Sequence, residues 1–294
     1  MTTEQTAGRM ARRCGIVSGT GRRGGTSQAV ARRLVGEGAS ITTVDHDPAA
    51  EGFAKELQAS HQARGMGGDI RAVIGDLRDP STAAEAVAQH AEEFGGLDFV
   101  VNVAGGSSPG MPMTVADTKA SHFEVMMETN LLTAVNLTTA ALPLLRETPD
   151  RSAVITFGSV NGSAGWGFAL EPAYAAANGA LASWTLALAA EVKRHGVLCN
   201  HIRPASIINP HSPTWAQRLD DPAVRHHLRA LYDPFGFITA EQIASLVVFL
   251  LDALSPPITG QEFVIDCGIG RIGTRDIRED GRWYLPLNTD CPNE

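Results

Sequence analysis

Lysine is scarce in this 294-residue chain: only Lys55, Lys119 and Lys193 occur. Lys and Arg together number 24 against 32 acidic residues, which leaves a net charge of -8. Such an acidic surplus repels phosphate backbones and anionic headgroups, so neither nucleic acid nor a membrane is expected as a partner. Cysteine is sparse too. Cys14, Cys199, Cys267 and Cys291 lie far apart, without a CxxC pair or a Cys/His cluster, so no metal site and no disulfide scaffold is expected. Reduced thiols and a cytoplasmic location are the expectation. Long apolar runs are missing as well: Ile243–Leu254 and Ala180–Ala190 are too short or too interrupted to cross a bilayer. The segment MTTEQTAGRMARR carries charge with no apolar stretch behind it, unlike a secretory leader. A composition of 44% hydrophobic and 19% charged residues belongs to a folded globule.

What fills the chain is an alternation of strand and helix. Short β-branched or apolar runs stand at Cys14–Ser18, Ser40–Val44, Ala72–Ile74, Leu97–Val103, Ser152–Phe157, Val197–Ile202 and Glu262–Ile265. Helical periodicity separates them over 26–37, 48–62, 81–94, 119–145, 173–195 and 240–254, with Ser81 as an expected N-cap. Strands apolar on both faces, with helices between them, predict an α/β fold: a single Rossmann-type domain, a doubly wound parallel sheet in three layers. The expected organisation is a flexible tail over 1–13, a dinucleotide-binding and catalytic domain over 14–268, and a C-terminal extension over 269–294. The Pro- and His-rich stretch 205–237 breaks the rhythm, follows a strand end and reads as a weakly helical substrate lid.

The first strand leads into Ser18-Gly19-Thr20-Gly21-Arg22-Arg23-Gly24-Gly25-Thr26. Glycines let backbone N–H groups approach a pyrophosphate at a helix N-terminus; taken alone, the motif also fits a turn without a ligand. Asp45 stands about 20 residues further on, where a carboxylate can accept both ribose hydroxyls of an adenosine. Its other use would be to cap the next helix, a task that Asp47-Pro48 suits better. A carboxylate there repels a 2′-phosphate, so NAD is expected over NADP. Arg22 and Arg23 are the opposing evidence.

Further along stand Gly75-Asp76-Leu77, Asn102-Val103-Ala104-Gly105, Asn130, Ser159 in Phe157-Gly158-Ser159-Val160, and Tyr174 in Tyr174-Ala175-Ala176-Ala177-Asn178. Arg203-Pro204-Ala205 and Ile258-Thr259-Gly260 follow. This ordered series resembles the classical short-chain dehydrogenase/reductase family over residues 14–268. The resemblance implies an oxidoreductase that moves a hydride between a nicotinamide cofactor and a carbonyl/alcohol pair. It implies cofactor contacts from Gly19, Gly21, Arg22, Gly24, Gly25, Asp45, Asp76, Leu77, Asn102, Ala104, Gly105, Asn178 and Pro204, with Asp76 at the adenine. It also implies that Asn130 steers a water relay, that Ser159 hydrogen-bonds the substrate carbonyl, and that Tyr174 exchanges its proton. A homotetramer or dimer through the 119–145 and 173–195 helices is implied as well.

The series breaks at one catalytic position. The family carries Lys four residues after its Tyr, and here that residue is Asn178. Positions i and i+4 share a helix face, so Asn178 points to the same cleft as Tyr174. A lysine's charge would lower the phenol pKa and its donors would hold the nicotinamide ribose. Asn keeps a hydrogen bond and brings no charge. A phenol near its ordinary value of about 10 stays protonated at neutral pH. Such a group serves as an acid toward a carbonyl and is a poor base for alcohol oxidation. Carbonyl reduction is therefore the expected direction, slow unless another cation compensates. Arg203 and His201 are the nearest candidates by chain order. Lesser departures are Arg23 at a glycine position, Ala205 after Pro204, and Ser163 as a rival to Ser159.

Trp166, Phe168, Trp215, Tyr232, Phe235 and Phe237 suit a bulky hydrophobic ketone if they line the pocket rather than fill the core. His211, His226 and His227 read as solvent-facing, and Trp283 and Tyr284 are candidates to cover the site. With the lysine gone, two other classes stay open. One is a non-redox cyclase, isomerase or dehydratase that keeps Tyr174 and Ser159 as acid and donor. The other is a dinucleotide-sensing binding protein without turnover.

Overall fold

Strands that are apolar on both sides need a layer of helices on each side, and the computed structural model of the chain has that arrangement. It describes residues 8–63, 68–108, 110–162, 171–208, 213–232, 235–269, 276–277 and 283–284. Along the main sheet the order is β1 (Cys14–Ser18), α1 (Thr26–Gly36), β2 (Ser40–Asp45), α2 (Ala49–Ala63), β3 (Ile70–Ile74), α3 (Pro80–Phe94) and β4 (Phe99–Asn102). There follow α4 (Ala120–Met127), α5 (Thr133–Glu147), β5 (Ser152–Phe157), α6 (Pro172–Val192), β6 (Val197–Pro204), α7 (Pro213–Asp220), α8 (Pro222–Tyr232), α9 (Ala240–Leu251) and β7 (Glu262–Ile265). Seven strands pair in the order β3-β2-β1-β4-β5-β6-β7, every neighbouring pair parallel. Chain direction across the sheet reverses between β1 and β4, which opens a crevice at the C-terminal strand ends.

Side chains alternate between the two faces, as strand geometry requires. Val17, Val101 and Ile155 pack with Leu34 of α1, Phe53 of α2 and Val247 of α9. Their neighbours Ile16, Val100 and Val154 pack with Val87 of α3, Leu137 of α5 and Leu188 of α6. Each such aliphatic side chain, once buried, contributes about 1.5–3 kcal/mol.

Several expectations need correction. Residues 8–13 are not a loose tail: Met10 is fully buried, its N–H donates to the Glu37 carbonyl, and Arg9 pairs with Asp252 at 2.7 Å. Asp79, not Ser81, caps α3, because Pro80 takes the first helical position and Asp79 accepts the Ser81 N–H at 2.8 Å. The 119–145 helix is two helices joined by a π-helical turn, Glu128–Leu132. Its wide loop is held by side chains: Thr129 donates to the Val125 carbonyl at 2.8 Å and Thr133 to the Thr129 carbonyl at 2.9 Å. The 205–237 stretch is more regular than expected, with α7 and α8 inside it. In the C-terminal extension, β8 (Asp276–Ile277) and β9 (Trp283–Tyr284) pair antiparallel. Among the described residues no helix is long and apolar enough to cross a membrane.

Candidate active site

The glycine loop is pinned by the first turn of the helix it leads into. Ser27 donates to the Gly19 carbonyl, Gln28 donates to the Thr20 carbonyl at 2.8 Å, and the Gly24 N–H donates back to Gln28 at 3.0 Å. Gly19 has φ +86, and a Cβ on it would stand 2.8 Å from the Ala104 backbone. That position therefore admits only glycine. Ser18, at the end of β1, accepts the N–H groups of Val103 and Ala104 at 3.0 Å each and ties the two central loops together. Gly25 caps α1 without a side chain, which leaves the positive end of the helix facing the crevice.

A cleft of about 920 Å³ runs along the C-terminal strand ends. Its wall includes Gly19, Arg22, Gly24, Gly25, Asp45, Asp76, Leu77, Ala104, Gly105, Asn130, Ser159, Tyr174, Asn178 and Pro204, so most of the expected site residues share one space. Two do not line it. Gly21 lies behind the wall and donates its N–H to Asp45 Oδ2 at 2.7 Å. Asn102 is buried toward α5, where its Nδ2 donates to Thr138 at 2.9 Å. Asp45 also accepts the Asp47 N–H at 2.8 Å, while Asp47 takes the Ala49 N–H at 2.9 Å and so serves the start of α2. Asp76 is held by Arg78 through Nε at 2.9 Å, and that guanidinium keeps its carboxyl below the usual range.

At the opposite end the π-helical turn aims Asn130 into the cleft. Its Oδ1 accepts the Gly106 N–H at 2.7 Å and its Nδ2 donates to the Met126 carbonyl at 3.1 Å, so it fixes the Gly105–Gly106 turn. Ser159 follows β5 and its hydroxyl accepts the Asn161 N–H at 3.2 Å. Tyr174 and Asn178 sit one turn apart on α6, and Asn178 donates to the Tyr174 carbonyl at 2.8 Å. Burial pushes the Tyr174 phenol above its ordinary value, and the Glu171 carboxylate adds to that rise. Hydrogen bonds with Ser159 and Asn178 only partly offset it. Glu171 was not anticipated from the sequence. It adopts φ +64, unusual for a residue with a side chain, and accepts the Ser107 hydroxyl at 2.7 Å.

Neither candidate cation compensates for the missing lysine. His201 is buried, and burial followed by the nearby Arg203 charge drives its pKa down to about 3, so it is neutral. Arg203 is buried against Glu262. The basic side chains on the cleft wall, Arg22, Arg23, His46 and Arg78, all come from the β1–β3 end. Among the described residues, then, the phenol has a carboxylate beside it and no cation.

Among the described residues, the aromatic side chains expected around the substrate lie elsewhere. Tyr232 is buried edge-on against Phe237 and accepts the Ser206 N–H at 3.1 Å, which makes both core residues. Phe235 is 74% exposed. Ser163, Trp166, Phe168 and His211 lie outside the described residues, as do the side chains of Trp215, His227, Trp283 and Tyr284. His226 is exposed, as expected. The described wall near Tyr174 is largely polar, with Ser107, Ser108, Asn161 and Ser206 beside Val160 and Ile207.

Residues 19–270 match the family model described as enoyl-(acyl carrier protein) reductase. The short-chain reductase protein NovJ of Streptomyces niveus is 32% identical over 257 residues, 86% of this chain and 92% of that protein. The L-fucose dehydrogenase of Mus musculus is 32% identical over 254 residues, 86% of this chain and 87% of that protein. A short-chain dehydrogenase from Burkholderia cenocepacia J2315 in complex with NADP superposes with a TM-score of 0.73 at 27% identity, covering 88% of this chain and 98% of that one. The Pseudomonas aeruginosa RhlG/NADP active-site complex gives 0.75 at 26% identity, with 88% and 97% covered.

Proposed function

The chain belongs to the classical short-chain dehydrogenase/reductase family, and from that premise we propose that it works as a carbonyl reductase with Tyr174 as the acid. It is an oxidoreductase acting on CH–OH or C=O groups with a nicotinamide cofactor. One observation carries the direction: the phenol is buried beside Glu171 with no cation among the described cleft residues near it, and so is held protonated. A protonated phenol gives a proton readily and takes one poorly.

The residues fit a dinucleotide. Gly19 leaves the backbone bare where a Cβ would meet Ala104, and α1 presents an N-terminus without a side-chain cap. Gly24 and Gly25 would hold the pyrophosphate, Asp45 the adenosine ribose, Asp76 and Leu77 the adenine, and Ala104 and Gly105 the wall beneath. Asn178 and Pro204 would flank the nicotinamide half. When bound, the cofactor supplies or accepts a hydride. Ser159 donates a hydrogen bond to the substrate carbonyl, Tyr174 delivers the proton to its oxygen, and Asn130 holds the Gly105–Gly106 turn that forms part of the wall. Asn102 acts from behind the wall, by tying the end of β4 to α5.

The form of the cofactor is drawn in two directions. The Asp45 carboxylate favours NAD, since it can accept ribose hydroxyls and repels a 2′-phosphate. The two solved relatives hold NADP, which favours the second reading, and Arg22 and Arg23 on the wall supply charge for it. We assign NAD because an acid at the end of β2 is the group expected at the adenosine ribose, where the two forms differ.

The substrate is a small molecule that carries a carbonyl group; Tyr232, Phe235 and Phe237 give no support to the bulky hydrophobic ketone expected from the aromatic residues. Ser206 and Ile207 on the wall support the reading of 205–237 as the segment that covers it. Exposed Phe123, Val125, Leu132 and Leu186 on α4, the π-helical turn and α6 support assembly through these helices. The test follows absorbance of the reduced nicotinamide against a panel of ketones. Wild type should consume it, and Tyr174→Phe should lose about 10²–10⁴-fold in kcat while still binding cofactor. Undiminished turnover in Tyr174→Phe would remove Tyr174 from the mechanism. Product formed with no change in cofactor absorbance would select the non-redox class.

A further inference from the structure

One charge close to the reacting groups has no role in the mechanism. Glu171 stands three residues before Tyr174, at the start of α6, and no side-chain hydrogen bond caps that helix. A carboxylate at such a position ordinarily turns onto the free N–H groups of the first turn. This one turns the other way. It accepts the Ser107 hydroxyl at 2.7 Å, and Ser107 lies on the cleft wall. The Glu171 N–H points to the same connection between β4 and α4, toward the Met113 carbonyl at 3.4 Å. Backbone at φ +64 and ψ +69, costly for a residue with a side chain, holds it in that attitude.

Charge is spread unevenly around this carboxylate. Every described wall residue from Val103 onward is uncharged, so the basic side chains Arg22, Arg23, His46 and Arg78 stay with the cofactor end. The 163–170 stretch, which leads up to Glu171, contains no charged residue. Glu171 forms no ion pair among the described residues. Its field still reaches the reacting phenol, whose pKa it helps to raise. Glu171 is half-buried, and solvent screens such a charge less than one in open water. The catalytic end of the cleft therefore attracts a cation and opposes an anion.

We propose that Glu171 is a specificity residue, which selects as substrate a ketone carrying a cationic nitrogen and turns away keto acids. The inference rests on the reading of this cleft as a carbonyl reductase site and names the substrate class for it. A cation bound there lies in the field of the same carboxylate that opposes ionisation of Tyr174, and offsets it, because a nearby positive charge favours the phenolate. The substrate thus brings the positive charge that Asn178 does not supply.

The test is calorimetric titration of the protein loaded with oxidised nicotinamide cofactor, to which a ketone binds without turnover. The probes are methyl ketones with a trimethylammonium group one or three methylenes from the carbonyl. Each is paired with the isostere in which carbon replaces nitrogen, so that the two differ in charge and hardly in shape. Levulinate supplies the anion. Wild type should bind the better of the two cations about tenfold or more tightly than its isostere, the scale of one charge pair in a cleft, and levulinate most weakly. Glu171→Gln removes the charge and can still accept from Ser107, and its cation-to-isostere ratio should fall close to one. Glu171→Asp keeps the charge and should keep most of the preference. Equal affinity for cation and isostere in wild type with both linkers, or a preference undiminished in Glu171→Gln, overturns the proposal. Failure of the reductase reading looks different: reduced nicotinamide would then go unconsumed with every ketone, while the affinity ratios, which need no turnover, stand as stated.

Discussion

The two ends of the cleft are built by different means. At the β1–α1 end the surface is mostly backbone: Gly19 at φ +86, Gly24 and Gly25 on the wall, and a helix start without a side-chain cap. At the β5–α6 end it is side chains, namely Ser159, Tyr174, Asn178 and, across a turn, Asn130. A backbone-built surface tolerates drift, and so Arg23 can stand at a glycine position with the loop still closed by Ser27 and Gln28. In a side-chain-built site one residue decides the chemistry, and Asn178 in place of an ammonium leaves a phenol whose nearest charge is a carboxylate. One chain can therefore keep a family's cofactor frame and change its proton chemistry.

The contrast can be broken at the cofactor end first. Asp45→Ser exchanges charge-assisted hydrogen bonds for neutral ones, a net loss of about 1.5–3 kcal/mol, so NADH should bind about ten- to a hundredfold more weakly. Binding of NADPH should hold or improve, as titration by nicotinamide fluorescence would report. An unchanged NADH affinity would take the ribose away from Asp45. The next largest effect is at the catalytic end. In Asn178→Lys the new cation favours the phenolate and lowers the Tyr174 pKa by about one to three units, so alcohol oxidation at neutral pH should gain about tenfold or more. A rate no higher than wild type throughout the range below about pH 9 would contradict this account, given that an ordinary phenol titrates near 10. The smallest effect belongs to Glu171→Gln. Its carboxylate raises the Tyr174 pKa, so its removal should move the rising limb of the oxidation profile to lower pH, in the same direction as the lysine and by less. A limb that moves upward would show that Glu171 acts by position and not by charge.

Much of the frame was legible from the chain alone. Seven apolar runs became the seven strands of one sheet because a strand covered on both faces must be apolar on both, and that is a local signal. The i, i+4 spacing put Asn178 under Tyr174, and a strand-end Asp became the residue that closes on Gly21. Local signals failed where two candidates competed. Ser81 reads as a cap until Pro80 is seen to occupy the first helical position and Asp79 to cap it. Met10 has no periodic neighbours, and only the Glu37 carbonyl and the core beside it explain its burial. The aromatic residues of 205–237 suggested a pocket lining, and Tyr232 and Phe237 turned out to face each other in the core.

The order of strands and helices, the glycine loop, the acid at the end of β2 and the phenol with an amide one turn away were set by the sequence itself, since each depends on residues close together along the chain. The charge on that phenol's neighbours was decided only by tertiary structure. Arg203 and His201 offered two cations by chain order, and packing turned one toward Glu262 and left the other neutral between Thr156 and Gly158. Ionisation follows burial and partners, and those come from strands and helices far apart in sequence.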